Sequence, residues 1–149
     1  VAMMTDEEWN LEITWNLNHV FWGMRKALNH MIPRQYGRII AISSVEGKNG
    51  KPGIPGYNAT KHAVCGLVKS ASKEVGTQGI TVNAILPGVL PTAMTAPLPE
   101  RQLDAFREAN ALKRLNTTEE VARFALFLAT TANISGQVFQ LDSRLSRWC

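Results

Sequence analysis

Tyr57 and Lys61, in the run Tyr57-Asn58-Ala59-Thr60-Lys61, stand four residues apart. On a helix that spacing puts the phenol and the ammonium on one face, a turn apart. A phenol with an unperturbed pKa of about 10 is a poor base at neutral pH, and lowering that value by about three units takes roughly 4 kcal/mol of differential stabilisation of the phenolate. A neighbouring ammonium supplies much of it. Taken alone the spacing has a second reading, an amphipathic helix whose lysine snorkels to solvent. Ser44 favours the first, because it closes a strand-like run and precedes Tyr57 by thirteen residues across a loop. Functional groups of parallel α/β sheets emerge at such carboxyl ends, and a hydroxyl there can hydrogen-bond a carbonyl beside the phenol. The run Ile80-Thr81-Val82-Asn83-Ala84-Ile85-Leu86-Pro87-Gly88 leads into a Pro-Gly turn, a second carboxyl end on the same edge. Glu46, two residues past Ser44, is placed to contact a polar group of a substrate.

The elements that must position these groups follow from periodicity. Thr5-Asp6-Glu7-Glu8 has the form of a capping box, and Trp9, Ile13, Leu17, Val20, Met24, Leu28 and Met31 recur at helical spacing, so a long first helix is expected to end at or before Pro33. Residues 38–44, 80–86 and 137–142 are short apolar runs without clean alternation, as expected of strands buried on both faces. A Gly- and Pro-rich loop spans Gly47 to Gly56 before a helix that carries Tyr57, Lys61, Val64, Val68 and Val75 on one face. Thr117-Thr118-Glu119-Glu120 caps another helix, around Val121, Phe124, Ala125 and Leu128. Strands alternating with helices imply a parallel sheet. The fold expected is α/β, a partial Rossmann-like three-layer α/β/α arrangement with about three parallel strands, in one domain over residues 1–149. Residues 89–116, the longest stretch without a strand, are expected to form a substrate loop, fairly apolar through Met94, Ala96, Leu98, Leu103 and Phe106.

Composition narrows the partners. The 149 residues carry a formal charge of +4, but Lys and Arg are spread along the chain with no tract of five, which favours a solvated surface over nucleic-acid contact. Arg144, Arg147 and Trp148 read as a solvated tail. Two distant cysteines, Cys65 and Cys149, make no disulfide framework. No apolar run reaches the roughly 18 residues of a membrane span, and Val1-Ala2-Met3-Met4-Thr5-Asp6 lacks the pattern of a secretory signal, so a cytoplasmic protein without membrane contact is expected. His19, His30 and His62 form no metal-ligand pattern with the cysteines or carboxylates.

In this order, Trp9 through Asn16-Leu17, Gly37 through Ser44, Tyr57 to Lys61, Gly79 to Gly88 with Thr92, Glu119-Glu120-Val121-Ala122 and Ser135-Gly136-Gln137 resemble the classical short-chain dehydrogenases/reductases, nearly end to end. The resemblance implies that Tyr57 is the general acid/base and that Lys61 lowers its pKa and holds the nicotinamide ribose. It implies that Ser44 orients and polarises a substrate carbonyl, and that Asn16 holds a water in the proton relay behind the lysine. A helix-interior asparagine is the other reading of Asn16. Pro87, Gly88 and Thr92, with Tyr57 and Lys61, would contact the nicotinamide end of NAD or NADP, without a preference between them. The implied reaction is hydride transfer between the cofactor and a small secondary alcohol or ketone, in a homo-oligomer.

The family's glycine-rich turn, G-x-x-x-G-x-G or G-x-G-x-x-G, does not occur in the 149 residues, and Gly47-Lys48-Asn49-Gly50-Lys51-Pro52-Gly53 has neither the P-loop spacing nor its Lys-Ser/Thr ending. The expectation is therefore the C-terminal, catalytic portion of such an enzyme. The alternative is a catalytically inactive remnant serving as an oligomerisation or binding module, with Trp15 and Trp22, a heptad apart and off the main apolar stripe, facing a partner. After Gln140-Leu141-Asp142 the family pattern continues with two glycines, where this chain has Ser143-Arg144.

Overall fold

A computed structural model describes residues 1–144. The first helical rod begins where the sequence places it. Thr5 Oγ1 accepts from the Glu8 N–H at 3.1 Å and Glu8 Oε2 from the Thr5 N–H at 2.9 Å, so both partners of the capping box are in place. The rod is not uniform. Helix α1, Asp6–Ile13, passes into a π-helical segment, Thr14–Asn18, before α2 resumes over His19–Met31. In the widened segment the His19 N–H reaches back five residues to the Thr14 carbonyl. Such bulges collect at functional sites, and this one holds Asn16. Past Pro33 the chain turns through Gln35 in the left-handed region and enters strand β1, Gly37–Ile42.

Ser44 lies beyond that strand rather than at its end. It caps a short helix α3, Val45–Asn49, its Oγ accepting from the Glu46 N–H at 3.1 Å, so part of the expected Gly/Pro loop is helical. Helix α4, Pro55–Val75, carries Tyr57 and Lys61 near its start. Strand β2, Ile80–Pro87, helix α5, Glu100–Ala109, helix α6, Thr118–Thr130, and strand β3, Val138–Leu141, complete the order. Helix α5 falls inside the stretch expected to be a loop. A second capping box, Thr117 with Glu120, starts α6.

The sheet is parallel in the order β1-β2-β3, with Ile42 beside Ile85 and Pro87 beside Leu141. Only β2 is buried on both faces. Ile80, Val82, Ala84 and Leu86 join Val64, Val68, Ala71 and Val75 of α4, with Met24 of α2, in the main core. Ile85 and Leu128 of α6 are fully buried outside that cluster, and α6 packs on β1 and β2 to make the third layer. Asn83, also buried, is satisfied by donating to the Ile134 carbonyl and accepting from the Gln137 N–H. β1 is an edge strand, and Ile42 is 47% exposed, against the expectation of burial on both faces. Among the described residues no helix is long and apolar enough to cross a membrane.

Candidate active site

The three strands point their carboxyl ends the same way, so the segments that follow them meet on one edge. Ser44 comes two residues after β1, Gly88 one after β2 and Asp142 one after β3. A Cβ on Gly88 would stand 2.7 Å from that of Asp142, so only glycine lets the Pro-Gly turn lie against the end of β3.

Helix α4 is locked beneath this edge by close backbone approach. A Cβ on Gly47 would meet Lys61 Cβ at 2.6 Å, which means that α3 seats directly on the lysine's turn of α4. Two side chains fasten the same contact: Ser43 Oγ donates to the Lys61 carbonyl at 2.6 Å, and His62 Nδ1 lies 3.0 Å from the Gly47 carbonyl. The Lys61 ammonium lies 5.6 Å from the centre of the Tyr57 ring and donates to the Ile42 carbonyl at 3.3 Å. Lys61 thus joins the end of β1 to the phenol. Burial pushes its pKa below the usual lysine value, an effect partly countered by the Glu12 carboxylate and then by the Cys65 thiol.

Ser44, by accepting the Glu46 N–H, keeps its own hydroxyl hydrogen for a ligand. Asn16 is half-buried in the π-helical segment, and its Nδ2 donates to Glu12 Oε2 at 2.5 Å. Sequence reasoning passed over Glu12, although its i, i+4 relation to Asn16 was the available signal. Glu12 also packs on Gly56, the residue before Tyr57, where a Cβ would come within 3.0 Å of it. Glu12, Asn16, Trp15 and Gly56 line an open cavity of about 590 Å³ together with Met3, Met4 and Ile54.

Two further expected residues have their own local partners. Thr92 is exposed, and its backbone bonds stay within its own turn, to Thr95 and Ala96. The Glu46 carboxylate is taken by Arg144 at 2.8 Å, so it is not free for a substrate. Arg144 also pairs with the nearly buried Asp142, and Ser143 is held by Asn110 through both its N–H and its hydroxyl. The chain end up to Arg144 is therefore bonded into the domain, not a solvated tail; Arg147, Trp148 and Cys149 lie outside the described residues. Among the described residues no group of histidines, cysteines and carboxylates can hold a metal.

The donors present suit the ribose end of a nicotinamide nucleotide. Lys61 has three N–H donors and one protein acceptor, which leaves two for vicinal hydroxyls beside Tyr57. Neither glycine-rich spacing that cradles a diphosphate occurs in the 149 residues.

A family model described as Enoyl-(Acyl carrier protein) reductase matches residues 1–143. Nodulation protein G of Rhizobium sp. (strain N33) is 37% identical over 145 residues, 96% of this chain and 59% of its own length. The 3-oxoacyl-[acyl-carrier-protein] reductase FabG of Thermotoga maritima is 38% identical over 147 residues, 97% of this chain and 60% of that protein. The crystal structure of 3-oxoacyl-[acyl-carrier protein] reductase from Brucella melitensis superposes with a TM-score of 0.90 at 32% identity, covering 95% of this chain and 54% of that one. ElxO with NADP bound gives a TM-score of 0.87 at 32% identity, over 94% of this chain and 58% of its own. The chain spans about 60% of the length of the curated relatives it matches.

Proposed function

The chain belongs to the short-chain dehydrogenase/reductase family, and on that premise we propose that it carries the catalytic group of an NAD(P)(H)-dependent oxidoreductase interconverting a secondary alcohol and a ketone. The observation that carries this reading is the junction of Lys61 with both Tyr57 and the end of β1, one residue from the Ser43-Ser44 pair. Tyr57 serves as general acid/base at its phenolic oxygen, giving a proton to the developing alkoxide in reduction and taking it back in oxidation. Lys61 holds the phenolate form by its charge and offers its free N–H donors to the nicotinamide ribose. Ser44 donates its hydroxyl hydrogen to the substrate carbonyl oxygen, opposing the charge that builds there. Asn16, in the widened part of the first rod, holds a water in the proton relay behind Lys61. Pro87 and Gly88 form the wall against the nicotinamide, with Thr92 carried on the adjoining loop. The cofactor, when bound, supplies or accepts the hydride.

The test is turnover by the polypeptide that contains these residues, followed by nicotinamide absorbance with simple ketones and with a 3-oxoacyl carrier-protein thioester, the substrate named for the FabG relatives. Tyr57→Phe is expected to lower kcat at least about a hundredfold while leaving the unfolding midpoint nearly unchanged, because the ring still packs and only proton transfer is lost. Retention of more than about a tenth of the rate removes Tyr57 from its role.

A homo-oligomeric state is part of the same proposal. Trp9, Trp15, Phe21 and Trp22 of the first rod are 41%, 67%, 42% and 50% exposed. That much aromatic surface on one element favours a partner helix.

A further inference from the structure

Resting on the reading of Tyr57 and Lys61 just given, we propose that Glu12 is a positioning residue of the same site, a carboxylate that fixes the Asn16 amide and supplies the counter-charge for the Lys61 ammonium. Three observations converge on it. Its Oε2 accepts from Asn16 Nδ2 at 2.5 Å, which commits the amide to one orientation inside the π-helical segment. Its Cβ and Cγ lie where a Cβ on Gly56 would come within 3.0 Å, so the first rod touches α4 through this side chain, one residue from Tyr57. It also lines the open cavity with Asn16, which gives the group a path to solvent.

The electrostatic logic follows from the charges around Lys61. The groups that act on it are the Glu12 carboxylate from α1, the Cys65 thiol from its own helix and the Tyr57 phenol a turn away. Of these, Glu12 is the one carboxylate, and it comes from the neighbouring rod. An ammonium half-withdrawn from water tends to shed its proton, and a neutral amine would no longer hold a phenolate beside it. Glu12 keeps the ammonium charged and Asn16 aligned. It touches neither substrate nor cofactor.

The experiment uses chain 1–149 with ¹³C-labelled lysine, the Lys61 signal being assigned by its loss in Lys61→Met. Glu12→Gln, which keeps an acceptor for Asn16 but removes the charge, is expected to lower the Lys61 midpoint by about one pH unit. Glu12→Asp is expected to recover most of it. A purely structural Glu12 would move the unfolding midpoint but not the lysine titration. An unchanged Lys61 midpoint in Glu12→Gln overturns the proposal; should that variant fail to fold, an unchanged midpoint in Glu12→Ala overturns it equally. Failure of the functional reading shows separately, as turnover surviving in Tyr57→Phe, and leaves the titration result standing.

Discussion

Lys61 and Ser44 each do two things, and substitution can separate them. Burial lowers the pKa of Lys61 relative to the ordinary 10.5. Between the folded-state midpoint and 10.5 the unfolded chain binds the extra proton, so this residue makes stability rise with pH across that window, and below it the full cost of withdrawing the ammonium from water is present. Lys61→Met is therefore expected to fold more stably than the parent at pH 7 while abolishing turnover. Its advantage should shrink as pH approaches 10.5, as read from urea unfolding midpoints at several pH values. A methionine variant less stable at neutral pH would contradict the sign. Ser44 offers the complementary case, since its oxygen caps α3 while the proposed mechanism assigns its hydrogen to the substrate. Ser44→Ala is expected to lose about 1 kcal/mol of stability and Ser44→Gly only a few tenths, because glycine tolerates the capping position. Both should lose turnover by about a hundredfold or more, because neither can donate to the carbonyl. Equal stability of the two variants would show that the cap contributes nothing.

Arg144 ties the segment after β3 to α3 across 98 positions of sequence, through Glu46 on one side and Asp142 on the other. All three side chains are largely withdrawn from solvent, so removing the guanidinium strands two carboxylates. Arg144→Ala is expected to cost about 3 kcal/mol, measured by chemical denaturation, with much of the loss recovered in Arg144→Ala combined with Glu46→Gln. A loss below about 0.5 kcal/mol would place the pair with ordinary surface ion pairs. This contact was not legible in the sequence, which signals neither a pairing between positions 46 and 144 nor the exchange of two glycines for Ser143-Arg144 as anything but a departure from pattern. The capping boxes at Thr5 and Thr117 and the apolar run of β2 were legible, because caps and buried strands are written in adjacent residues, whereas β3, expected to be buried on both faces, is half-buried along its length. The π-helical segment was not, since the apolar spacing of Trp9, Ile13 and Leu17 is compatible with an unbroken α-helix. Nor was α5, whose amphipathic Glu100–Ala109 stretch was hidden among prolines. Tyr57 and Lys61 were legible because four-residue spacing is a local property of a helix; Glu12 needed the neighbouring rod to give it meaning.

At the scale of the whole molecule, the described sheet offers β1 as an open edge and the first rod as an aromatic face. Sedimentation at tens of micromolar is expected to give a dimer or larger species, and a charge placed in the face, Trp15→Glu, should shift it towards monomer. A clean monomer for the parent chain would remove the oligomeric proposal. Polypeptide 1–149 is also expected to bind NAD or NADP weakly, with calorimetric dissociation constants above about a millimolar. On the proposed roles Lys61 and Tyr57 address the ribose and nicotinamide, and neither glycine-rich spacing that cradles a diphosphate occurs in the 149 residues. Micromolar binding would locate a phosphate site that the motifs do not reveal. Three of the four tryptophans, Trp9, Trp15 and Trp22, sit on the first rod, and Trp15 borders the cavity shared by Glu12 and Asn16. The intrinsic emission of this chain therefore reports largely on one element, so a red or blue displacement of its spectrum on adding a ligand or a second copy marks an event at that rod without any attached dye.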